Sequence, residues 1–397
     1  MRVLFVTPRL PYPPNRGGEI IIFNLLRQLS ARHDIALVSF YDSESELALR
    51  EHLARYCVRI ELARRPGKFD PRVALRAVAG SSYSMARHLS TELAAAVSRV
   101  TAEWRPDVAQ LETFAMANYL PQLRGVPAVL HMHDVAWVMW DRMAALVPFY
   151  LRPLVRIEAG RIRANELAAC RAVHASVNVS APDRRRLTEA GVPESKTHVI
   201  LPGVDPPSTE PSGPLPPGTD VVFVGSMSYV PNVDAVTFFA RDVLPLVTAA
   251  VPGATFTIVG ARPSPAVRAL VSHPGVRVTG AVDDVKPFYA AAAVAVVPLR
   301  MAGGVRMKIL EALALGAAIV STTIGAEGLD LEPGADLLIA DTPEQLADAI
   351  IRLLRDPALR ERLGRHARET AARRFSWARV AASFEQVYDS VVTTGTA

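Results

Sequence analysis

Cysteine is nearly missing. Cys57 and Cys170 are the two in 397 residues. They lie too far apart for metal-ligand spacing and are too few for a disulfide framework, so a reducing compartment is expected, with neither thiol a convincing nucleophile. Aromatic residues make up 7% of the chain, and long apolar runs are lacking. The most apolar stretch, FYAAAAVAVVPL (288–299), is well short of the roughly 20 residues a membrane span needs. The opening MRVLFVTPRLPYPP turns to proline and polar residues after one short apolar run, and so reads as a first β-strand, not a signal peptide. A cytoplasmic protein is expected. No charge sign dominates: 44 basic residues against 39 acidic ones leave +5, a slight excess that does not imply nucleic acid. No D-x-D triplet occurs, so divalent metal is not expected. Neither half carries G-x-G-x-x-G after its first strand, which argues against a third reading, a nicotinamide dehydrogenase.

What is present is bulk and repetition. Half of the residues are hydrophobic, as suits a packed α/β protein, and the length exceeds one ordinary core. RVLFV (2–6) leads through the loop TPRLPYPPNRGG into the helical pattern EIIIFNLLRQLSARH and the strand IALVSF, one βαβ unit. After residue 219 the same order restarts: DVVFVG (220–225), the loop SMSYVPNVD, the helix AVTFFARDVLPLVTAA and the strand ATFTIVG. PDVAQLE and PAVLHMHD continue the first half, and VRVTG, VAVVPL and AAIVST the second. This alternation predicts an α/β fold of two Rossmann-like, doubly wound parallel-sheet domains. The predicted division is an N-terminal domain 1–200, a proline-rich linker 201–219, a C-terminal domain 220–375 and a helix 376–397 packing back on the N-terminal domain. PEQLADAIIRLLR should open on Asp341 or Thr342 as cap, with Pro343 in the first turn.

Open parallel sheets bind ligands beyond the carboxyl ends of their strands. There the first half offers Gly17, Gly18 and His133, and the second offers Gly225, Gly280 and AGGVRMKILEALALG (302–316). In that stretch Gly303 and Gly304 let backbone approach a ligand, and a helix starting near Val305 or Arg306 presents unpaired N–H groups. Arg306 can grip phosphate as a fork and Lys308 as a point charge, which suits a diphosphate. Glu311 shares a face with Lys308 and can accept two hydroxyl protons from a ribose diol. The alternative is a plain Lys308–Glu311 pair on a helix made apolar by Ile309, Leu310, Ala312 and Leu313. His131 and His133 share one side of their strand, but a metal pair lacks a third ligand of suitable spacing. Asp283 and Asp284 read as a helix cap. Arg9 and Arg16, flanking the first loop, meet either phosphate or an anionic acceptor, or solvent. The arginines between Arg142 and Arg186, with Arg184, Arg185 and Arg186 adjacent, form a solvated face or touch anionic lipid. Trp137, Trp140 and Ala144 share a helix side that reads as core or as an acceptor or membrane groove.

FVGSMSYVPNVDA, VRVTGAVDDV, VVPLRMAGGVRMKILEALALGAAIVST and the early P…GGE loop together resemble the GT4 family of retaining glycosyltransferases, in particular a branch of sugar transferases tied to bacterial exopolysaccharide loci. The resemblance covers nearly the whole chain. It implies the GT-B fold, with the two domains facing across a cleft, and transfer of a sugar from a nucleoside diphosphate sugar with retained anomeric configuration, without cofactor or metal. By the same resemblance Glu311 matches the ribose-binding glutamate, and Gly17 and Gly18 the glycine loop near donor phosphates and acceptor. His133 matches the histidine that reaches the donor sugar, and Gly280 falls where backbone contacts the base. Two departures stand out. Gly303 holds the place of the family's first glutamate, and SMSYVPNVD lacks the arginine and lysine that the family tends to carry after the first strand of its second domain. Arg306 and Lys308 would then supply the missing charge and stabilise the leaving diphosphate. The expected site thus comprises His133, Arg306 and Lys308 in catalysis, and Gly17, Gly18, Gly225, Gly280, Gly303, Gly304, Val305 and Glu311 on the donor. The acceptor would be a small molecule, a glycan or a lipid-linked sugar, with peripheral contact at the inner membrane face. The rival readings are a non-catalytic nucleotide-binding partner that keeps the fold, and a sugar-nucleotide epimerase.

Overall fold

A computed structural model describes residues 1–67, 70–205 and 218–395. The chain forms two compact units, Met1–Pro202 with Trp377–Ala397, and Gly203–Ser376. Most of the stretch read as a linker, 201–219, lies outside the described residues.

In the first unit, β1 (Arg2–Thr7), β2 (Asp34–Tyr41), β3 (Arg59–Arg64), β4 (Val108–Glu112), β5 (Ala128–Met132), β6 (Ala175–Asn178) and β7 (Thr197–Val199) form one sheet in the order β3-β2-β1-β4-β5-β6-β7. Every pairing is parallel, with Phe5 opposite both Leu37 and Gln110. Helices on both faces leave few polar positions, which is why β1 reads RVLFVT and is buried from Val3 to Thr7. The Gly17–Leu29 helix buries Ile21, Ile22, Leu25, Leu26 and Leu29 along one stripe. The C-terminal helix, Trp377–Gly395, packs on that helix and on β4 and β5. Phe384 and Tyr388 are its fully buried anchors, each worth about 1.5–3 kcal/mol of apolar burial. Glu385 ties it to the Gly17–Leu29 helix's C-terminal end, through Arg32 at 2.8 Å and His33 at 2.8 Å.

The second unit repeats the plan. Here β8 (Asp220–Val224), β9 (Thr255–Val259), β10 (Val276–Gly280), β11 (Val294–Val297), β12 (Ile319–Ser321) and β13 (Leu338–Ile339) run parallel in the order β10-β9-β8-β11-β12-β13. In both sheets the strand order reverses beside the first strand, at β1/β4 and at β8/β11. Such switch points open a crevice beyond the strand ends, where doubly wound sheets take their ligands.

Local chemistry sets the helix limits. Thr342 caps the Pro343–Arg355 helix in a capping box with Gln345, with Pro343 in its first turn. At the Lys286–Ala291 helix the N-cap is Val285, which brings no side-chain cap, so neither Asp283 nor Asp284 is the cap read from sequence. Asp284 accepts from the Lys286 amide at 2.9 Å from one residue further out. The Met307–Leu315 helix starts one to two residues later than the glycines suggest, with Arg306 at its N-cap, and stops at Gly316, whose φ of 70° an L side chain rarely adopts. Gly316 has a second constraint: a Cβ on Gly364 would lie 2.2 Å from the Gly316 carbonyl oxygen, so the Pro357–Arg374 helix crosses there backbone against backbone. Trp137 is buried in the first unit's core with Trp140 packed against it, and Ala144 is buried too, so that helix side is core and not a groove. No helix among the described residues is long and apolar enough to cross a membrane.

Candidate functional site

Two clusters stand at the two switch points, one in each unit.

In the first unit, the loop after β1 delivers Gly17 and Gly18 to the start of a helix, and the end of β5 delivers His133. The structure brings these together: a Cβ on Gly18 would lie 3.0 Å from Nδ1 of His133. Beneath them is a residue not singled out from sequence, Glu112 at the end of β4, fully buried. His133 Nε2 meets its Oε2 at 2.6 Å and His131 Nδ1 meets the same oxygen at 3.0 Å. Gln110 Nε2 donates to Oε1 at 2.5 Å, and the Tyr388 hydroxyl donates to the side-chain oxygen Oε1 of Gln110. Burial alone would raise the Glu112 carboxyl, but the charges and hydrogen bonds of His131 and His133 outweigh it and hold Glu112 well below the usual carboxylate range. An ionised carboxylate only accepts, so both ring nitrogens facing it carry protons. His133 is therefore protonated on Nε2 and turns Nδ1 toward Gly18. Thr113, directly after Glu112, has φ 72°, a costly backbone for a β-branched residue that the surrounding packing must enforce.

Glu112 also supplies the third ligand that the His131–His133 pair lacks in sequence; all three ligand atoms lie within 4.8 Å of one another. The observed 2.6 and 3.0 Å contacts are hydrogen-bond distances. A tetrahedral ion with bonds of about 2.0–2.1 Å would hold its ligands roughly 3.3 Å apart. The cluster is satisfied as a hydrogen-bonded group and would have to open to admit an ion.

In the second unit, Gly225 follows β8, and a Cβ there would lie 2.6 Å from Asn232 Nδ2 and 2.9 Å from Lys308 Nζ. Lys308 reaches back from the Met307–Leu315 helix to the end of β8, where SMSYVPNVD has no cation of its own. Its ammonium donates to Asn232 Oδ1 at 2.9 Å and sits 3.8 Å over the Phe223 ring. Asn232, also not anticipated, is held by its Nδ2 to the Ser226 carbonyl at 2.9 Å. Burial pushes Lys308 down to about 7, with Glu311 opposing and Arg306 adding to the shift. Burial likewise pushes Glu311 up to about 7, against the pull of Lys308 and Lys286. Gly280 ends β10, two strands from β8, and its carbonyl accepts from Gly260 at 3.1 Å.

Arg306 is placed differently from the expectation. It is 6% exposed, and its three guanidinium nitrogens donate to main-chain carbonyls: Nε to Gly325 at 3.0 Å, Nη1 to Gly303 at 3.2 Å and Nη2 to Glu327 at 2.6 Å. Buried carbonyls need donors, and this arginine supplies them, bracing the loop through Gly303, Gly304 and Val305 against residues 325–327. The phosphate fork read from sequence gives way to a loop brace, leaving Lys308 as the cation aimed at the β8 end.

Comparison with known proteins identifies the family. Residues 15–207 match the family model described as Glycosyltransferase Family 4, and residues 218–356 match that of Glycosyl transferases group 1. A phosphatidyl-myo-inositol mannosyltransferase of Mycobacterium leprae is 35% identical over 130 residues, which are 32% of this chain and 34% of that protein. An uncharacterized 44.6 kDa protein in the cps region of Klebsiella pneumoniae is 22% identical over 88% of this chain and 90% of its own length. Among solved structures, Anabaena HepE in complex with UDP and glucose superposes with a TM-score of 0.68 at 16% identity, covering 98% of this chain and 100% of that one. Sucrose-phosphate synthase from Thermosynechococcus elongatus gives 0.72 at 17% identity, covering 99% and 100%. With two doubly wound parallel sheets, two family models that between them span most of the sequence, and neighbours of the GT-B fold, the chain belongs to the family 4 glycosyltransferases.

Proposed function

We propose that the protein transfers a sugar from a nucleoside diphosphate sugar to an acceptor with retained configuration and without a metal. The observation that carries this reading is the cation brought to the β8 switch point: Lys308 Nζ against Gly225, with Glu311 one helical turn beyond. In this reading Lys308 neutralises the diphosphate, Glu311 accepts the ribose hydroxyls, and the backbone at Gly225, Gly280, Gly303, Gly304 and Val305 lines the donor. Arg306 holds the loop's shape. By the family resemblance, Gly17 and Gly18 serve the donor phosphates and the acceptor, and His133 the transferred sugar. The anomeric carbon–phosphate oxygen bond breaks as the acceptor oxygen bonds to that carbon on the same face. The acceptor's hydroxyl proton passes to the departing diphosphate. Charge developing on that diphosphate is what Lys308 stabilises. HepE crystallised with UDP and with UDP-glucose supports a uridine nucleotide as the first donor to try.

The paired shifts of Lys308 and Glu311 set a pH dependence. Lys308, lowered to about 7, is charged below that pH and loses its attraction for phosphate as pH rises through it. Glu311, raised to about 7, is ionised above it and accepts hydroxyls less well as pH falls. UDP affinity should peak near pH 7 and fall on both sides, while uridine affinity should rise through pH 7 and level off. Calorimetric titrations of both ligands from pH 5.5 to 8.5 check this; a flat profile for UDP would remove the buried lysine from the account.

The acceptor side carries an open apolar surface. Phe149 is 79% exposed, with Leu146, Tyr150, Leu154 and Ile157 also exposed. Arg142, Arg152 and Arg156 fall within residues 142–157, which hold no acidic residue. Apolar side chains rimmed by arginine fit an anionic bilayer, and we assign this face to membrane contact near a lipid-linked acceptor. Phe149→Ser with Tyr150→Ser and Leu154→Ser should cut sedimentation with vesicles containing about a third phosphatidylglycerol by about tenfold or more. Equal binding would send the acceptor into solution.

A further inference from the structure

Three neighbouring strands of the first unit end in charge that the donor reading does not use. After β1 comes Arg9, after β2 Asp42 and after β3 Arg65, side by side at the carboxyl edge of the sheet. Arg9 Nη1 donates to Asp42 at 2.9 Å. Arg65 donates to both Asp42 oxygens, through Nε at 2.7 Å and through Nη2, and its Nη1 reaches the Pro8 carbonyl at 3.4 Å. Arg65 is buried, but the Arg9 and Asp42 side chains are 35% and 37% exposed, so the pair is open on one side. Arg87 ends the short helix Tyr83–Arg87. Its Nε is enclosed with no hydrogen-bond acceptor among the described residues.

The field at this corner shows in its titratable groups. The Arg65, Arg9 and Arg87 guanidinium groups hold the Asp42 carboxyl below its ordinary value although burial pulls the other way. Burial pushes the neighbouring His88 imidazole down to about 4, with Arg65, Arg87 and Arg9 all adding to it. Arg9 itself is pushed down to about 10, by burial first and then by Arg65 and Arg16. Facing these four arginines are Asp42, Glu19 at 3.7 Å from Arg16, and Glu46, which is turned to the Asp42 amide at 2.7 Å. A structural brace would need one arginine for Asp42. Here two share it, and the charge of a third, Arg87, acts on Asp42 and Arg65 while its Nε goes unmatched.

We propose that this corner, formed by Arg9, Arg65 and Arg87, binds a phosphate group of the acceptor. Naming the ligand an acceptor rests on the transferase reading; the anion site does not. Planar guanidinium forks suit the several oxygens of a phosphate, and a donor enclosed without an acceptor costs free energy that a phosphate oxygen recovers. A phosphate monoester, at roughly −1.5 to −2, answers more of this charge than a single carboxylate.

The test is calorimetry at low ionic strength with inorganic pyrophosphate, in full-length protein carrying Lys308→Ala so that the donor pocket does not contribute. Adding Arg9→Gln and Arg87→Gln should weaken pyrophosphate binding by about tenfold or more, while Asp42→Asn, which removes the competing carboxylate, should tighten it about threefold. Pyrophosphate affinity unchanged by the arginine substitutions would overturn the site, and so would tighter binding of glucuronate than of pyrophosphate. UDP binding to protein carrying Arg9→Gln and Arg87→Gln alone should equal that of the wild type. A wild type that fails to bind UDP would sink the donor reading and leave this result standing.

Discussion

Lys308→Ala should weaken UDP binding at pH 6.5 by about 100-fold, or roughly 2.8 kcal/mol, while uridine affinity stays within about threefold. The size follows from one charge-assisted contact in a partly dry pocket, about 1.5–3 kcal/mol net. The selectivity follows from position: Lys308 lies at the Gly225 end of β8, and Glu311 a turn further along the helix. Lys308→Met with Glu311→Gln carries the argument into stability. Burial disfavours the ions of both groups, and replacing buried charges by matched neutral side chains is often neutral or stabilising. The ligand-free double variant should unfold a few degrees above the wild type, and UDP should no longer raise that temperature. Loss of stability together with retained UDP binding would mean that the pair is structural. Arg306→Ala makes the contrast, since it strips donors from three carbonyls and should weaken UDP and uridine alike.

The second large effect concerns Glu112. Glu112→Gln keeps the shape but removes the charge and exchanges one acceptor oxygen for a donor. That donor must face either the two histidine protons now on Oε2 or the Gln110 amide now on Oε1, so the carboxylate that orients both histidines is lost. His133 then loses the partner that fixes its ring beside Gly18. UDP release from the preferred nucleotide sugar should fall on the order of 100-fold, with UDP affinity unchanged because Glu112 lies in the other unit. Glu112→Asp should recover part of the rate. Glu112→Leu, which leaves buried histidine donors unmatched, should destabilise the fold by about 3–5 kcal/mol. A Glu112→Gln protein with full turnover would reduce the buried carboxylate to packing.

The two-sheet plan is legible because βαβ order repeats, with glycine and proline marking where each strand hands over to a helix. Gly18, Gly225 and Lys308 are legible too, since strand ends and a lysine behind two glycines are local signals. Glu112 is not, because its histidine partners come from the end of β5, 19 and 21 residues later, and the Tyr388 hydroxyl that holds its neighbour Gln110 comes from the C-terminal helix, which no spacing reports. A signal existed nonetheless: a carboxylate closing the strand VAQLE, with no cation inside the strand to offset its charge. Asn232 escaped for the same reason, as its partner Lys308 is distant in sequence. For Arg306 the residue was legible and its direction was not. The same Gly-Gly-Val-Arg sequence serves a ligand or the loop's own carbonyls, and the carbonyls of Gly325 and Glu327 decide it.

The central claim is that the second unit's switch point holds the donor's diphosphate on Lys308. A crystal grown with UDP tests it most directly. The account predicts phosphate oxygens within hydrogen-bond distance of Lys308 Nζ, the ribose hydroxyls on Glu311 and Arg306 still bound to its carbonyls. UDP bound elsewhere, with Lys308 still paired to Asn232, would contradict it.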